Sequence, residues 1–190
     1  ERTWSFCIPA DRYKPEMVET YKAGKGISIM IWAAFSGQGG RSQLYLMVRD
    51  PDSKRGGYSA KSYLALLSEM IPTLYEPGLI FMQDNAPIHK AHKVRDWFLE
   101  SLIPVLEWPP YSPDLNPIEN LWRKLKEELL KVRPDLEEVP GNPDTVREVM
   151  GKALQEAWER IPQDYIDGCW KSMHKRMEAV VAAEGWYTKY

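Results

Sequence analysis

The sequence has few cysteines and lacks long apolar runs. Cys7 and Cys169 are its two cysteines, too few for a disulfide framework or a cysteine-based zinc site, and we expect both to be small core residues. No segment approaches the roughly 20 consecutive apolar residues that a membrane-spanning helix needs. The N-terminus lacks the charged-then-apolar pattern of a secretion signal. These absences predict an intracellular protein with no membrane partner, and 190 residues with 44% hydrophobic content suit one domain.

Further absences narrow the kind of site. The chain has no glycine-rich phosphate loop, which argues against a nucleotide or other small-molecule cofactor. His89 and His92 stand three positions apart, but no third ligand lies at a recognisable interval, so zinc ligation is not expected. The net charge of −2, from 25 Lys and Arg against 27 Asp and Glu, argues mildly against tight nucleic-acid binding by the surface as a whole.

The first regular pattern in the chain is a series of predicted strands. Residues 2–8 and 27–35 read as strands, and a glycine-containing turn leads into another at 44–48, which predicts an antiparallel meander. After a Pro-Gly turn, residues 79–82 form a short unbroken apolar run, typical of a strand buried on both faces. A further short strand is predicted at 103–106. The chain therefore begins with the strands of a sheet.

Amphipathic helices follow and alternate with these strands. Ser59 is a suitable N-cap for a helix through Ile71, with Leu64, Leu67 and Ile71 facing inward. The other predicted helices span residues 87–99, 118–132, 144–160 and 163–182. A polar, proline-rich loop at 133–144 separates the last two of these from the rest. The apolar and methionine stripes of these last two helices indicate core packing rather than a cofactor site.

Two carboxylates occupy informative places in this pattern. Asp84 follows the apolar run at 79–82, and ligands of open α/β sheets bind beyond the carboxyl ends of strands. Glu119 stands just after Pro117, a residue suited to the first turn of a helix. Each also has a structural interpretation, because aspartate is a common turn residue and Asn116 with Glu119 is close to a capping box. Singly, the structural interpretation is the commoner one.

The residues around both carboxylates resemble one family. Residues 81–89 read FMQDNAPIH, and residues 108–119 read WPPYSPDLNPIE. In wording, order and interval these segments are similar to the catalytic core of the mariner-like DDE transposases. The chain's ending is similar to that family too, with IP at 161–162, SM at 172–173 and TKY at 188–190. The resemblance covers nearly the whole chain.

This resemblance implies a fold and a set of site residues. The fold is α/β, an RNase H-like mixed sheet flanked by helices, with C-terminal helices added. The site is an Asp, Asp, Glu triad, in which Asp84 and Glu119 match the second and third members. Asn85, His89 and Asn116 belong to the same motifs and are expected to support the two carboxylates.

The first member of the triad has no match here. In the family it stands on the first strand, several residues before the segment that matches residues 2–8. We therefore expect the first strand and the first carboxylate to be missing from this chain. Glu1 and Asp11 are poor substitutes, because a terminal residue frays and Asp11 falls in a loop.

The chemistry of phosphodiester cleavage explains the need for carboxylates. Two divalent ions about 3.5 to 4 Å apart stabilise the attacking and leaving oxygens. Magnesium, or manganese, takes oxygen ligands and keeps several waters, so a few carboxylates and a phosphate complete its shell. In the family the first aspartate bridges both ions, and the residues matching Asp84 and Glu119 hold one each. We therefore expect this chain by itself to be inactive or very weakly active.

Basic residues near the two motifs are candidates for contacts with DNA. Lys90 and Lys93 follow Asp84, while Arg123 and Lys126 follow Glu119 and share its helix face. An equally plausible interpretation is a solvated face with ordinary ion pairs. The resemblance further implies DNA as partner, a homodimer and a nuclear location.

Three functions remain open at this point. The first is a piece of the catalytic domain of a DNA transposase, which cleaves and joins DNA strands. The second is a non-catalytic descendant that binds nucleic acid or protein, and the third is a different RNase H-like nuclease acting on RNA or hybrid duplexes. We predict one domain over 1–190, made of a core at 1–132, the loop at 133–144 and helices at 145–190.

Overall fold

The computed structural model describes residues 29–190 except 38, 55, 111, 136–141 and 187. The predicted strand at 2–8, Cys7 and the candidate substitutes Glu1 and Asp11 lie outside the described residues. The elements, in chain order, are strands β1 (Ile31–Trp32) and β2 (Tyr45–Leu46) and helices α1 (Ala60–Leu74), α2 (His92–Glu100), α3 (Ile118–Val132), α4 (Pro143–Glu159), α5 (Gln163–Lys171) and α6 (Met173–Ala182). One 3-10 turn, Pro113–Leu115, precedes α3. The described part of the chain is thus a mixed α/β structure.

The strands β1 and β2 form the antiparallel pair that the sequence predicts. Ile31 pairs with Leu46 and Trp32 with Tyr45. The strands are shorter than predicted because a side chain interrupts the ladder. The Ala34 N–H donates to the Ser42 hydroxyl at 2.8 Å instead of to a backbone carbonyl, although the Ser42 N–H still donates to the Ala34 carbonyl.

Helix α1 begins where the sequence predicts. The Ser59 hydroxyl accepts from the backbone at Lys61 and Ser62, and the Ser62 side chain accepts from the Ser59 N–H, which makes a capping box. Leu67 and Ile71 face inward as predicted, while Leu64 is half-buried. The most deeply buried face also includes Tyr63 and Leu66.

The prediction of a strand buried on both faces at 79–82 is wrong. Phe81 makes a single parallel bridge to Val105 and packs on Phe98 with ring centroids 5.0 Å apart. Successive side chains of an extended segment point to opposite sides, and the Ile80 side chain is 61% exposed. The same bridge is all that forms of the strand predicted at 103–106. One face of this short segment therefore contacts the core, and the other contacts solvent.

Helix α2 begins at His92, five residues after the predicted start at Pro87. The N–H groups of His89 and Lys90 both donate to the Ala86 carbonyl, which closes a tight turn over residues 87–90 instead of a helix. His89 and His92 consequently do not share a helix face. The turn places His89 Nδ1 2.7 Å from Asp84 Oδ1.

The predicted helix at 163–182 is two helices, α5 and α6, that meet at Ser172. The Ser172 hydroxyl donates to the Cys169 carbonyl at 2.6 Å, and serine side chains that bond local backbone groups compete with helical hydrogen bonds. Cys169 is 7% exposed, as expected of a core cysteine. His174 is exposed, and its Nε2 lies 3.1 Å from Glu178 Oε1.

The β1–β2 pair lies between two hydrophobic clusters. Ile31 and Leu46 pack against the cluster built by α3, α4 and α5, whereas Trp32 and Tyr45 pack against the cluster built by α1 and α2. Gly151 permits the close approach of α4, because a Cβ there would lie 2.5 Å from the Leu46 side chain. The described helices are all too short or too polar to cross a membrane.

Candidate active site

Asp84 stands on a short loop immediately after the Phe81 bridge. Its Oδ1 accepts from the Ala86 N–H at 3.0 Å and lies 2.7 Å from His89 Nδ1. Because a carboxylate only accepts hydrogen bonds, His89 Nδ1 carries the proton and donates it. The Asp84 side chain is 53% exposed. One oxygen of the carboxylate is therefore held by the protein, while the side chain stays open to solvent.

The His89 ring that holds Asp84 rests on a buried tyrosine. The Tyr63 and His89 rings have centroids 4.4 Å apart, and Tyr63 is 1% exposed. The Tyr63 hydroxyl donates to Gln83 Oε1 at 2.8 Å. Burial first, and then the charge of Asp84, raise the pKa of Tyr63. Helix α1 thus supports the imidazole with the buried Tyr63 ring, while the Tyr63 hydroxyl holds Gln83, the residue before Asp84.

Glu119 is positioned by the entry to α3. Asn116 Oδ1 accepts from the Ile118 N–H at 3.3 Å, and its carbonyl accepts from the Glu119 N–H at 3.2 Å. The helix cap at Pro117 has no side-chain hydrogen bond, so the capping-box interpretation of Asn116 and Glu119 is wrong. The Glu119 carboxylate is not used to cap its own helix.

The structure brings Asp84 and Glu119 together. Burial raises the pKa of Glu119, the charge of Asp84 raises it further, and Lys126 partly opposes them. A carboxylate raises the pKa of another only when the two lie close. Asn85, the neighbour of Asp84, helps to join the two motifs, because its Nδ2 donates to the Trp108 carbonyl at 2.7 Å. Two carboxylates from separate elements therefore lie near enough for their charges to interact.

The donor set suits a hard divalent cation. Two carboxylates supply oxygen ligands of the kind that Mg²⁺ and Mn²⁺ take. Since Asp84 Oδ1 bonds to His89 and Ala86, Oδ2 is the oxygen left for a cation, which would make Asp84 monodentate. Within the described residues, no group of three His, Cys, Asp or Glu side chains is placed to hold a metal. This part of the chain thus contains two carboxylates that could serve as metal ligands.

The four predicted DNA-contacting residues are all exposed. Lys126 lies near enough to Glu119 for its charge to lower that pKa. Lys93 lies near enough to Asp50, in the loop before α1, for its charge to lower the pKa of Asp50. A hydrogen bond to Tyr165 on α5 raises the pKa of Arg123. Lys90 is exposed in the turn beside His89.

Sequence reasoning missed four residues that support the site. Gln83 and Tyr63 lie on the His89 side of the site. Gln83 stands in the motif at 81–89, and the sequence signal for Tyr63 is its helical spacing with buried leucines. Asp114 and Arg176 bond to each other beside Glu119, and Arg176 also bonds to Asn120, the residue after Glu119. Arg176 is 2% exposed, although its neighbours His174 and Lys175 are exposed. Pairwise placement of this kind has no local sequence signal.

The raised pKa of Glu119 predicts how substitution changes stability with pH. Above the ordinary value of 4.5 the unfolded chain loses this proton before the folded chain does. Stability from this group therefore falls as the pH rises through that window. We expect Glu119→Gln to be more stable than the unsubstituted chain near pH 7, with little difference near pH 4. Urea unfolding at both pH values measures this.

A matched variant has the opposite sign. Lys152 lowers the pKa of Glu148, so this carboxylate stabilises the fold above its ordinary pKa and loses that effect in acid. Glu148→Gln should therefore be less stable than the unsubstituted chain near pH 7. A loss of stability near pH 7 in Glu119→Gln would show that the folded protein does not disfavour the charged form of the Glu119 carboxylate.

A family model covers most of the chain and both carboxylates. Residues 14–139 match the model described as DDE superfamily endonuclease. That range includes Asp84, Glu119 and the supporting residues Asn85, His89 and Asn116. The match agrees with the resemblance that the motifs indicate.

Curated relatives extend the match toward the C-terminus. The transposable element Tcb1 transposase of Caenorhabditis briggsae is 33% identical over 184 residues, which are 94% of this chain and 60% of the relative. The Tcb2 transposase of the same organism is 31% identical over 181 residues, with the same coverage. The Tc1 transposase of Caenorhabditis elegans is 39% identical over 113 residues, which are 60% of this chain and 38% of the relative. The chain thus spans about 60% or less of the length of these relatives.

Proposed function

Because this chain belongs to the DDE superfamily endonucleases, we propose that it is part of the catalytic domain of a DNA transposase. Its reaction would be divalent-metal-dependent cleavage of DNA strands and their transfer to a target. Asp84 and Glu119 supply two of the three metal ligands of that centre. RNase H-like topology, in the mixed α/β structure described above, belongs to the same proposal.

One observation carries the proposal. Asp84 and Glu119 come from different motifs, yet the charge of Asp84 raises the pKa of Glu119. Two like charges held together cost free energy in the absence of a cation, and a bound cation removes that cost. A purely structural role for either carboxylate gives no reason for this placement.

A divalent ion at this site would polarise phosphate oxygens and stabilise the charge that develops on them. The protein's own part is to place the two ligands. His89 holds Asp84 Oδ1 at 2.7 Å and leaves Oδ2 for the ion, and α3 presents Glu119 from its first turn. Rigid ligands matter, because geometric errors of about 1 Å can cost 100-fold in rate.

DNA is the partner that this chemistry requires. Lys126 and Arg123 project from the helix of Glu119, and Lys90 and Lys93 lie beyond Asp84, so phosphates on either side of the site would meet positive charge. The proposal also includes a nuclear location and assembly with a second copy of the chain, both of which the resemblance to the mariner-like DDE transposases implies. The salt bridges of Lys124 with Glu127 and Glu128 exclude that lysine from the set.

The proposal predicts weak but specific binding of Mn²⁺ by the 190-residue chain. Asp84→Asn and Glu119→Gln should each abolish it, because a single carboxylate is too few ligands for a stable site. Electron paramagnetic resonance of free Mn²⁺ during titration measures the bound fraction. Glu127→Gln is the control, since Glu127 lies on the same helix but pairs with Lys124.

Unchanged binding in both site variants would contradict a metal role for this pair. That result would favour the non-catalytic alternative, in which the fold serves for nucleic-acid or protein binding. Electrophoretic mobility shifts with duplex DNA, with and without Mn²⁺, would then show whether DNA binding survives without a metal site.

A further inference from the structure

Arg176 on α6 is a buried cation held by several partners. It is 2% exposed. Its Nε donates to the Ser172 hydroxyl at 2.8 Å, one terminal nitrogen donates to the Asp114 carbonyl at 2.5 Å, and the other donates to Asn120 Oδ1 at 3.0 Å. The guanidinium also lies 4.9 Å from the centroid of the Tyr190 ring. One side chain thus joins α6, the 3-10 turn and α3.

Two of these partners, Asp114 and Asn120, lie on either side of Glu119 in sequence. Asp114 lies in the 3-10 turn before α3, and Asn120 directly follows Glu119 in the first turn of that helix. The Asn120 carbonyl also accepts from the Tyr165 hydroxyl at 3.4 Å. The segment that carries Glu119 is therefore fixed at both of its ends.

The end of the chain fastens the same segment. Asp114 Oδ2 accepts from the Thr188 hydroxyl at 2.9 Å and from the Thr188 N–H at 3.2 Å. Arg176 holds the backbone of Asp114, while Thr188 holds its side chain. Residues 188–190 consequently form a strap across the 3-10 turn.

The cost of this arrangement indicates that its geometry matters. In the described part of the chain, no carboxylate forms a salt bridge with Arg176, and burial of an unpaired charge is expensive. The guanidinium also lies at the N-terminus of α3, where the helix dipole disfavours positive charge. A planar guanidinium reaches acceptors on two elements at once, which a lysine cannot do.

We propose that Arg176 and Thr188 are positioning residues for Glu119: they lock the segment from Asp114 to Asn120 so that the glutamate points at Asp84. This proposal rests on the proposed metal function of Glu119. Without the lock, that segment keeps its local backbone bonds, the Asn116 side-chain bond to the Ile118 N–H and the Tyr165 bond to the Asn120 carbonyl, and the cap at Pro117 adds no side-chain partner. Orientation of Glu119 would then be lost before the helix itself.

Two variants test this on the 190-residue chain. Thr188→Val removes the hydroxyl donor with little change in volume, and Arg176→Lys keeps the charge but removes the fork. Hydrogen–deuterium exchange of the peptide covering 113–121 should rise about fivefold in Thr188→Val, the loss of one hydrogen bond, and more in Arg176→Lys. Mn²⁺ affinity should fall in the same order, while exchange in α1 stays unchanged. Thr73→Val is the control, because its hydroxyl donates to the Met70 carbonyl, away from the site.

The two readouts separate this proposal from the proposed function. Unchanged exchange at 113–121 in both variants would overturn the positioning role, whatever the metal result. Faster exchange with unaltered Mn²⁺ affinity would also overturn it, since Glu119 would then bind metal without the lock. If the unsubstituted chain binds no Mn²⁺, the proposed function fails, and exchange alone decides whether the strap orders the Glu119 turn.

Discussion

Asp84→Asn and Glu119→Gln are each expected to lower strand cleavage at least about 100-fold in a chimera that carries this chain. In the chimera, the chain replaces the matching segment of the Caenorhabditis briggsae Tcb1 transposase, of which it covers 60%. The relative's remaining sequence is expected to supply the first carboxylate. The 190-residue chain alone should show no magnesium-dependent cleavage above that of its Asp84→Ala variant. Nicking of an end-labelled DNA duplex measures both.

The control for the chimera is Glu127→Gln. Its carboxylate pairs with Lys124 at 3.2 Å and lies about two turns along α3 from Glu119, so cleavage should stay at the parental rate. Turnover by the 190-residue chain that vanishes in Asp84→Ala would show that two carboxylates suffice. Equal cleavage by the parental and site-substituted chimeras would contradict catalysis by Asp84 and Glu119.

Trp158→Ala is expected to destabilise the fold by about 3 to 5 kcal/mol, the usual cost of emptying a fully buried aromatic site. Trp158 is 0% exposed and lies 5.9 Å from the Trp122 ring. Its indole N–H donates to the Ser42 carbonyl at 2.8 Å, which joins α4 to the segment before β2. Since domains are stable by only about 5 to 15 kcal/mol, little stability should remain. Urea unfolding monitored by circular dichroism gives the free-energy difference.

Trp186→Ala serves as the matched tryptophan control. Trp186 is 74% exposed, and substitutions at such positions change stability by less than about 0.5 kcal/mol. A loss below about 1 kcal/mol in Trp158→Ala would mean that the cluster of α3, α4 and α5 does not depend on this side chain.

Local patterns predicted the helices well and the strands poorly. Ser59 begins α1 and Val132 ends α3 as expected, because capping and helical periodicity depend on neighbours within one or two turns. The apolar run at 79–82 forms only one bridge, since pairing and burial of a strand depend on partners distant in sequence. Helix α2 begins at His92 rather than at the predicted Pro87, because residues 87–90 form the turn that places His89 beside Asp84.

The sequence by itself determined the family, the two motif carboxylates and the helices that carry or precede them. The family and the carboxylates follow from short sequence motifs, and the helices follow from hydrophobic periodicity. Both signals depend on neighbouring residues, as in the start of α3 directly after Pro117. Only the tertiary structure decided that the charge of Asp84 reaches Glu119, that His89 holds one oxygen of Asp84, and that Arg176 is buried. Arg176 and Asp114 lie 62 positions apart and Thr188 and Asp114 lie 74 apart. Contacts at such separations are set by how whole elements pack, so no local pattern records them.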